Sequence, residues 1–168
     1  MTPAIYRASV PVFVRGFAAT AKILDKGVAF AEARKIDPSV LVNARLAADM
    51  HPLSRQIQIA SDAAKGAAAR LAGVEPPSFA DTEASFDELK ARIAKTVDFM
   101  NGLDAKAFEG GDVREVSLKL GPQEFKMSGA DYLFNIATPN FYFHITTAYD
   151  ILRHNGVEIG KRDFLGWT

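Results

Sequence analysis

The chain has 168 residues, of which 48% are hydrophobic and 24% charged, as expected for one globular domain with a real core. Twenty basic residues balance twenty acidic ones, so no net charge draws the chain to nucleic acid or to an anionic membrane. The absence of cysteine excludes disulfides, thiolate metal sites and a cysteine nucleophile. No segment has the roughly 20 apolar residues that span a bilayer, and we expect a soluble, cytoplasmic protein.

The N-terminal region predicts a long helix over about residues 3–25. Apolar residues recur there every three or four positions, which is the spacing of one helix face: Tyr6, Val10, Phe13, Phe17, Ala21 and Leu24. Pro11 predicts a kink or a later start, because an interior proline removes a helical hydrogen bond. Gly27 predicts a break, followed by a separate short helix over residues 28–36.

Two further helices follow. Asp37 and Pro38 have the residue types of an N-cap and a first helical residue, and they precede a short predicted helix over about residues 40–47. A second long helix is predicted over about residues 49–71, with a stripe rich in alanine that allows a neighbouring helix to approach closely. Gly73 ends it.

The next segment changes its periodicity. Ser85 and Glu88 form a capping-box pattern for a third long helix, which Asn101-Gly102 closes. Residues 116–120 and 125–127 then alternate apolar with polar side chains around Gly121-Pro122. This alternation predicts a small β-hairpin.

A fourth long helix is predicted over about residues 130–154, capped by Ser128 and kinked near Pro139. The tail from Val157 to Thr168 is predicted to be a docked loop, because Phe164, Leu165 and Trp167 would otherwise be exposed. These elements predict one all-α domain over residues 1–168, a four-helix bundle with short extra helices and a hairpin between the third and fourth long helices.

The fourth helix contains the most informative pair of polar residues. Asn140 and His144 are four residues apart in an apolar, aromatic helix, so they are expected to stack on its inward face. Burying an amide and an imidazole costs free energy unless each finds a partner. The pair is therefore either a metal or ligand site between helices or a hydrogen-bonded core pair.

Other residues are weaker candidates. His51 opens the second long helix, and it is either a second metal ligand or a partly exposed histidine. Tyr142, Thr147 and Tyr149 could line a small-molecule pocket beside His144, although core packing also explains them. His154 lies about 15 Å along the helix from His144, and a C-terminal histidine is favoured by the helix dipole.

The C-terminal third carries a family resemblance. Residues 139–157, with Asn140-Phe141-Tyr142-Phe143-His144 and Leu152-Arg153-His154-Asn155-Gly156, and the following Gly160-Lys161-Arg162-Asp163-Phe164-Leu165-Gly166 resemble an uncharacterised bacterial family. That family belongs to the DinB/YfiT-like superfamily of metalloenzymes. The resemblance extends over the whole chain. It implies a bundle of up-down-down-up connectivity, often assembled as a homodimer.

The resemblance also implies a metal site. In the superfamily, three histidines hold a divalent metal, commonly zinc or nickel: one from the second helix and a His-x-x-x-His pair from the fourth. His51 is similar in position to the first, and His144 matches the later residue of the pair. Asn140 takes the place of the earlier histidine. The implied site, His51, His144 and Asn140, is therefore atypical or vestigial.

Some superfamily members use a low-molecular-weight thiol as cofactor. Metal-assisted thiol transfer or hydrolysis is accordingly the enzyme class that the resemblance implies, because a bound metal lowers the pKa of a thiol or of water. Two alternatives stay open. The chain could be a non-catalytic module that binds a small organic molecule without metal, or a structural dimer that packs its aromatic face against a partner chain.

Overall fold

The computed structural model of the chain describes residues 1–120 and 123–167. The predicted turn at Gly121-Pro122 lies outside them. Short 3₁₀ and π-helical turns cover Ala105–Phe108 and Leu133–Ala137. The other elements are α1 (Ala4–Arg34), α2 (Pro38–Val42), α3 (Leu53–Ala72), α4 (Phe86–Asn101), β1 (Glu115–Leu120), β2 (Gln123–Ser128), α5 (Gly129–Tyr132), α6 (Thr138–His154) and α7 (Lys161–Phe164).

The first helix is longer than predicted. The expected break at Gly27 is wrong, because α1 continues for 31 residues to Arg34 and also contains Pro11. Gly27 serves packing instead: a Cβ there would meet the Phe86 ring at 3.2 Å. Leu24 and Ala31, on either side of Gly27, are both buried in the core.

The predicted capping of α2 is confirmed, since the Asp37 carboxylate accepts the Ser39 N–H at 2.9 Å. This helix covers Pro38–Val42 rather than residues 40–47. The second long helix, α3, starts at Leu53 and not near residue 49. Pro52 explains the later start, because a residue that precedes proline, here His51, is disfavoured in the α conformation.

The capping box of α4 is confirmed by reciprocal bonds between Ser85 and Glu88. The hairpin is confirmed as well, with Val116 opposite Met127 and Leu118 opposite Phe125. The chain therefore has the predicted fold class, a helical bundle with a small antiparallel hairpin before the fourth long helix.

The fourth long helix comprises α5, the π turn and α6 in unbroken succession. The π turn ends at Ala137, directly before α6, and Pro139, where a kink was predicted, lies in the first turn of α6. Proline offers no N–H to the preceding turn, and a wider i→i+5 turn is one of the ways in which a helix adapts to such an interruption.

α3 lies at the centre of the bundle and packs against α1, α4 and α6. Its inward face is fully buried and consists mostly of small residues, which allow close approach of the neighbouring backbones: Leu53, Ile57, Ala60, Ala64, Ala67, Ala68 and Leu71. From α6, the Phe141 ring inserts between Phe13 and Phe17, with ring centroids 4.9 and 5.0 Å away.

The tail was predicted to be a docked loop, and this is wrong in two respects. Residues Lys161–Phe164 form α7, which is held to α1 by a contact of 2.6 Å between Lys26 Nζ and Asp163 Oδ1. Trp167 is 67% exposed instead of docked. Among the described residues, none of the helices combines the length and the apolar character needed to cross a bilayer.

Two glycines fix the start of the fourth long helix. A Cβ on Gly129 would clash with the backbone carbonyl oxygen of Gly111, and a Cβ on Gly111 would lie 2.6 Å from the Leu71 carbonyl oxygen. Because backbone atoms cannot rotate away as a side chain can, the approach of these segments depends on both glycines.

We predict that Gly129→Ala lowers the free energy of unfolding by at least about 2 kcal/mol, because it overpacks a backbone contact. Gly160→Ala is the matched control, since a Cβ at this position would have no neighbouring atom within 4 Å, and it should change stability by no more than about 0.5 kcal/mol. Urea denaturation followed by circular dichroism measures both. Equal stability of the two variants would contradict the prediction.

Candidate functional site

Two buried polar side chains meet between α3 and α6. His144 is 8% and Gln56 is 1% exposed, and His144 Nδ1 lies 2.6 Å from Gln56 Oε1. The Gln56 amide nitrogen donates to the His51 carbonyl oxygen at 2.9 Å. Gln56 Oε1 must then accept from His144, which places the ring proton on Nδ1. The other ring nitrogen, Nε2, keeps a free lone pair.

His144 is neutral at pH 7. Burial, together with the neighbouring positive groups of His51 and Arg55, lowers the pKa of His144 to about 4. Burial disfavours the charged form of an imidazole, and nearby positive charge acts in the same direction. The site therefore presents an uncharged imidazole of fixed tautomer.

The Nε2 atom of His144 is open to a ligand. None of the described residues forms a hydrogen bond with it. The polar side-chain atoms that are fully enclosed without a partner in residues 1–120 and 123–167 are Arg92 Nε and Thr138 Oγ1, so Nε2 keeps contact with solvent. An open imidazole nitrogen of this kind can accept a hydrogen bond, take up a proton or bind a metal ion.

The N-terminus of α3 borders the same site. Pro52 is its N-cap and provides no side-chain hydrogen bond, and the first turn contains no acidic residue. The Leu53 N–H donates to a carbonyl oxygen of the preceding loop, but the N–H groups of Ser54 and Arg55 find no acceptor among the described residues. This helix end therefore carries an uncompensated positive partial charge.

Asn140 was expected beside His144 on the inward face, and this is wrong: its side chain is exposed. The buried stripe of α6 passes through Ala137, Phe141, His144 and Ala148. By the helix periodicity, Asn140 lies about 70° from the centre of this stripe and His144 about 30°. A spacing of four residues places Asn140 and His144 on neighbouring faces of the helix. Only the face that carries His144 is buried.

The other predicted residues divide between two sides of α6. His51 is exposed and lies close enough to His144 to lower its pKa. Thr147 is buried, and its hydroxyl donates to the Phe143 carbonyl oxygen of its own helix. Tyr142 and Tyr149 lie roughly 140–160° around the helix from His144.

The two tyrosines belong to the packing of α1 and α7. The Tyr149 ring contacts Phe164 with centroids 5.8 Å apart, and Tyr142 lines a cleft with Arg15 and Trp167. Neither tyrosine takes part in the surroundings of His144.

A three-ligand metal centre does not fit these residues. In the described part of the chain, no group of three or more His, Asp or Glu side chains is placed to hold a metal ion, whereas catalytic zinc sites use three protein ligands. His51 and His144 provide at most two imidazoles, and the amide of Asn140 is a weak ligand.

The sequence did not lead us to predict Gln56 and Arg55 as residues of the site. Gln56 interrupts the apolar stripe of α3 three residues after Leu53 and one before Ile57. A polar residue at such a position has to find a buried partner. This signal was available, although it does not identify His144 as the partner.

A second polar cluster joins α3 and α4 to the segment between them, residues 73–85. The Arg92 guanidinium is 1% exposed and lies 3.0 Å from carboxylate oxygens of Asp62, Asp81 and Glu83. It also donates to the Ala80 carbonyl oxygen at 2.9 Å. Both terminal nitrogens of Arg92 are paired with carboxylates, which offsets the cost of burying the guanidinium, and these contacts hold the segment on the bundle.

Arg55 connects the second cluster to the site. Its guanidinium donates through one terminal nitrogen to Asp81 and, at 3.2 Å, to Gln58 Oε1. Its Nε and its second terminal nitrogen have no partner among the described residues. Arg55 thus pairs with the acidic segment, and its charge helps to lower the pKa of His144.

The fold and this site define a DinB-like helical protein. A crystal structure of a DinB family member from Shewanella denitrificans superimposes with a TM-score of 0.88 at 41% identity, covering 96% of this chain and 91% of that one. Residues 5–165 match the family described as a domain of unknown function, DUF1993. The chain belongs to the DUF1993 family. No curated protein is significantly similar to it.

We predict that His144 makes stability depend on pH between about 6.5 and 4. The folded pKa of about 4 lies below the ordinary value of 6.5, so the unfolded chain takes up the proton first as the pH falls. The stabilising contribution is complete above pH 6.5, declines as the pH falls towards 4, and is constant below it.

Urea denaturation of wild type and His144→Asn from pH 8 to pH 4 tests this dependence. Asparagine keeps an N–H donor for Gln56 but cannot be protonated, so the stability difference between the two proteins should shrink on acidification. The carboxylates titrate equally in wild type and in His144→Asn, so their contribution to the pH dependence cancels in the stability difference. His154→Ala is the control, because His154 is exposed. Parallel curves for wild type and His144→Asn would refute the prediction.

Proposed function

We propose that this DUF1993 protein binds a small polar molecule at the site where His144, His51 and the start of α3 meet. One observation carries the proposal: a buried imidazole is held neutral and in one tautomer, and its remaining nitrogen is open to solvent. The hydrogen bonds from His144 to Gln56 and on to His51 fix the ring before any ligand arrives. Such preorganisation lowers the entropic cost of binding.

A divalent metal such as zinc or nickel is the second candidate. It is favoured by Gln56, because histidines that bind metals almost always donate their other ring N–H to a neighbouring acceptor. His51 would supply the second imidazole, and water or a low-molecular-weight thiol would complete the shell, which is the setting for hydrolysis or thiol transfer. Two protein ligands favour a weak and exchangeable ion rather than a resident one.

A homodimer remains a separate prediction. Phe134 and Phe143 on the fourth long helix are each 56% exposed, and large exposed aromatic side chains are common at interfaces between chains. These two rings are the ones that a partner chain would cover.

We predict that at least one compound from a panel of small carboxylates, phosphates, amines and alcohols at millimolar concentration changes the Nε2 resonance of His144. Long-range ¹H–¹⁵N correlation spectra report each imidazole nitrogen separately, and His154 serves as internal control. The same compound should have no effect on the backbone amides of α3 in His144→Asn. A panel that leaves His144 unchanged would overturn the proposal.

We predict that wild-type protein incubated with zinc or nickel retains well below one ion per chain after gel filtration, because only two imidazoles are available. His51→Ala should retain less, and His154→Ala should match wild type. Inductively coupled plasma mass spectrometry measures the content. If wild type keeps one metal ion per chain in the presence of a chelator, and His144→Asn does not, the metal function would be favoured over small-molecule binding.

A further inference from the structure

A cleft between α1, α6 and the C-terminal tail combines aromatic side chains with one positive charge. Its volume is about 180 Å³, and it is lined by the rings of Tyr142, Phe164 and Trp167 and by Arg15 of α1. Tyr142 lies about 160° around α6 from His144. The cleft is therefore separate from the site at His144.

The tail that closes the cleft is fixed by contacts within the chain. α7 is tied to α1 by the contact of 2.6 Å between Lys26 and Asp163. After α7, Gly166 has a φ of 70°, a left-handed conformation that favours glycine, and the Trp167 N–H donates back to the Arg162 carbonyl oxygen at 2.9 Å. The cleft is thus formed before any ligand arrives, which lowers the entropic cost of binding.

The charges around the cleft are unequal. Arg15 is the charged residue among those that line it, and its guanidinium has no hydrogen-bond or ion-pair partner within residues 1–120 and 123–167. The two turns of α1 on either side of Arg15 contain no acidic residue. On α7, Asp163 is paired with Lys26. On α6, the first acid after Tyr142 is Asp150, about 12 Å farther along the helix. The cleft therefore favours a negatively charged group.

The aromatic rings of the cleft have surface to offer. Trp167 is 67% exposed, and Tyr142 and Phe164 are half-buried. Such rings pack well against another ring in edge-to-face or offset arrangements. A cavity of about 150 Å³ holds one benzene molecule, so a cleft of about 180 Å³ has room for a single six-membered ring with a small substituent.

We propose that this cleft binds a small aromatic carboxylate. The ring of the ligand packs among Tyr142, Phe164 and Trp167, and its carboxylate pairs with the Arg15 guanidinium, whose planar fork suits bidentate contact with two carboxylate oxygens. This inference goes beyond the proposed function, because His144 takes no part in the cleft.

Benzoate is the probe, with benzamide and cyclohexanecarboxylate as matched compounds that lack the charge and the aromatic ring. The chain has one tryptophan, so the indole N–H of Trp167 gives one resonance in a ¹H–¹⁵N correlation spectrum, and titrations at constant ionic strength follow it. Benzamide should bind at least about tenfold more weakly than benzoate, because it loses a charge-assisted pair. Cyclohexanecarboxylate should bind about threefold to tenfold more weakly, because it loses the contacts between rings.

Three variants separate the roles of the residues. Arg15→Gln should weaken benzoate at least about tenfold and leave benzamide unchanged. Arg7→Gln is the matched control with wild-type affinity, since Arg7 is an exposed arginine about two turns earlier on α1. Trp167→Leu, followed through the proton signals of benzoate itself, should weaken benzoate about threefold to tenfold and cyclohexanecarboxylate much less. Urea denaturation confirms that each variant is folded.

Distinct results overturn each part of the proposal. Equal affinities for benzoate and benzamide, or wild-type benzoate binding in Arg15→Gln, would refute the carboxylate and the role of Arg15. Equal affinities for benzoate and cyclohexanecarboxylate would refute the aromatic ligand. If benzoate shifts the Nε2 resonance of His144 and leaves the Trp167 indole unchanged, the cleft is refuted while the proposed function stands. An indole that responds to benzoate, with a His144 that responds to no compound, would support the cleft and overturn the proposed function.

Discussion

The hydrogen bond between Gln56 and His144 is the constraint on which the rest of the site depends. Both side chains are buried between α3 and α6, and an amide or imidazole that is buried without a partner costs free energy that packing has to offset. Each satisfies the other here at 2.6 Å. The bond sets the axial position of α6 against α3 and, through the link to the His51 carbonyl oxygen, the loop that leads into α3.

Arg92 and His144 are both buried polar side chains, but they differ in charge and in how they are paired. Arg92 is enclosed and paired with three carboxylates, as a buried charge requires. His144 is enclosed but left neutral, so one of its nitrogens can face water at little cost. Asp81 touches Arg92 on one oxygen and Arg55 on the other. It therefore joins a rigid ionic cluster to a more exposed residue at the site.

Local patterns predicted the fold well and the site only in part. The Asp37 cap of α2, the capping box of α4 and the hairpin follow from short-range rules that act within a few residues, and these are present in the structure. Gly27 was misread because its role is set by Phe86, a residue distant in sequence. Asn140 was misplaced because a spacing of four residues fits two neighbouring helix faces, and only the position of α3 decides which face is buried. The pairing of Gln56 with His144 spans 88 residues, and no local rule can specify it.

The π turn at Leu133–Ala137 has a consequence for how such a protein can change by insertion and deletion. A π turn holds about one residue more than an α-helical turn, and each residue rotates a helix by about 100°. Loss of one residue within this turn would restore a regular helix, because the wider turn holds the extra residue locally, and α5 and α6 would keep the faces that they bury. The turn is therefore a position at which this long helix can gain or lose one residue without repacking the bundle.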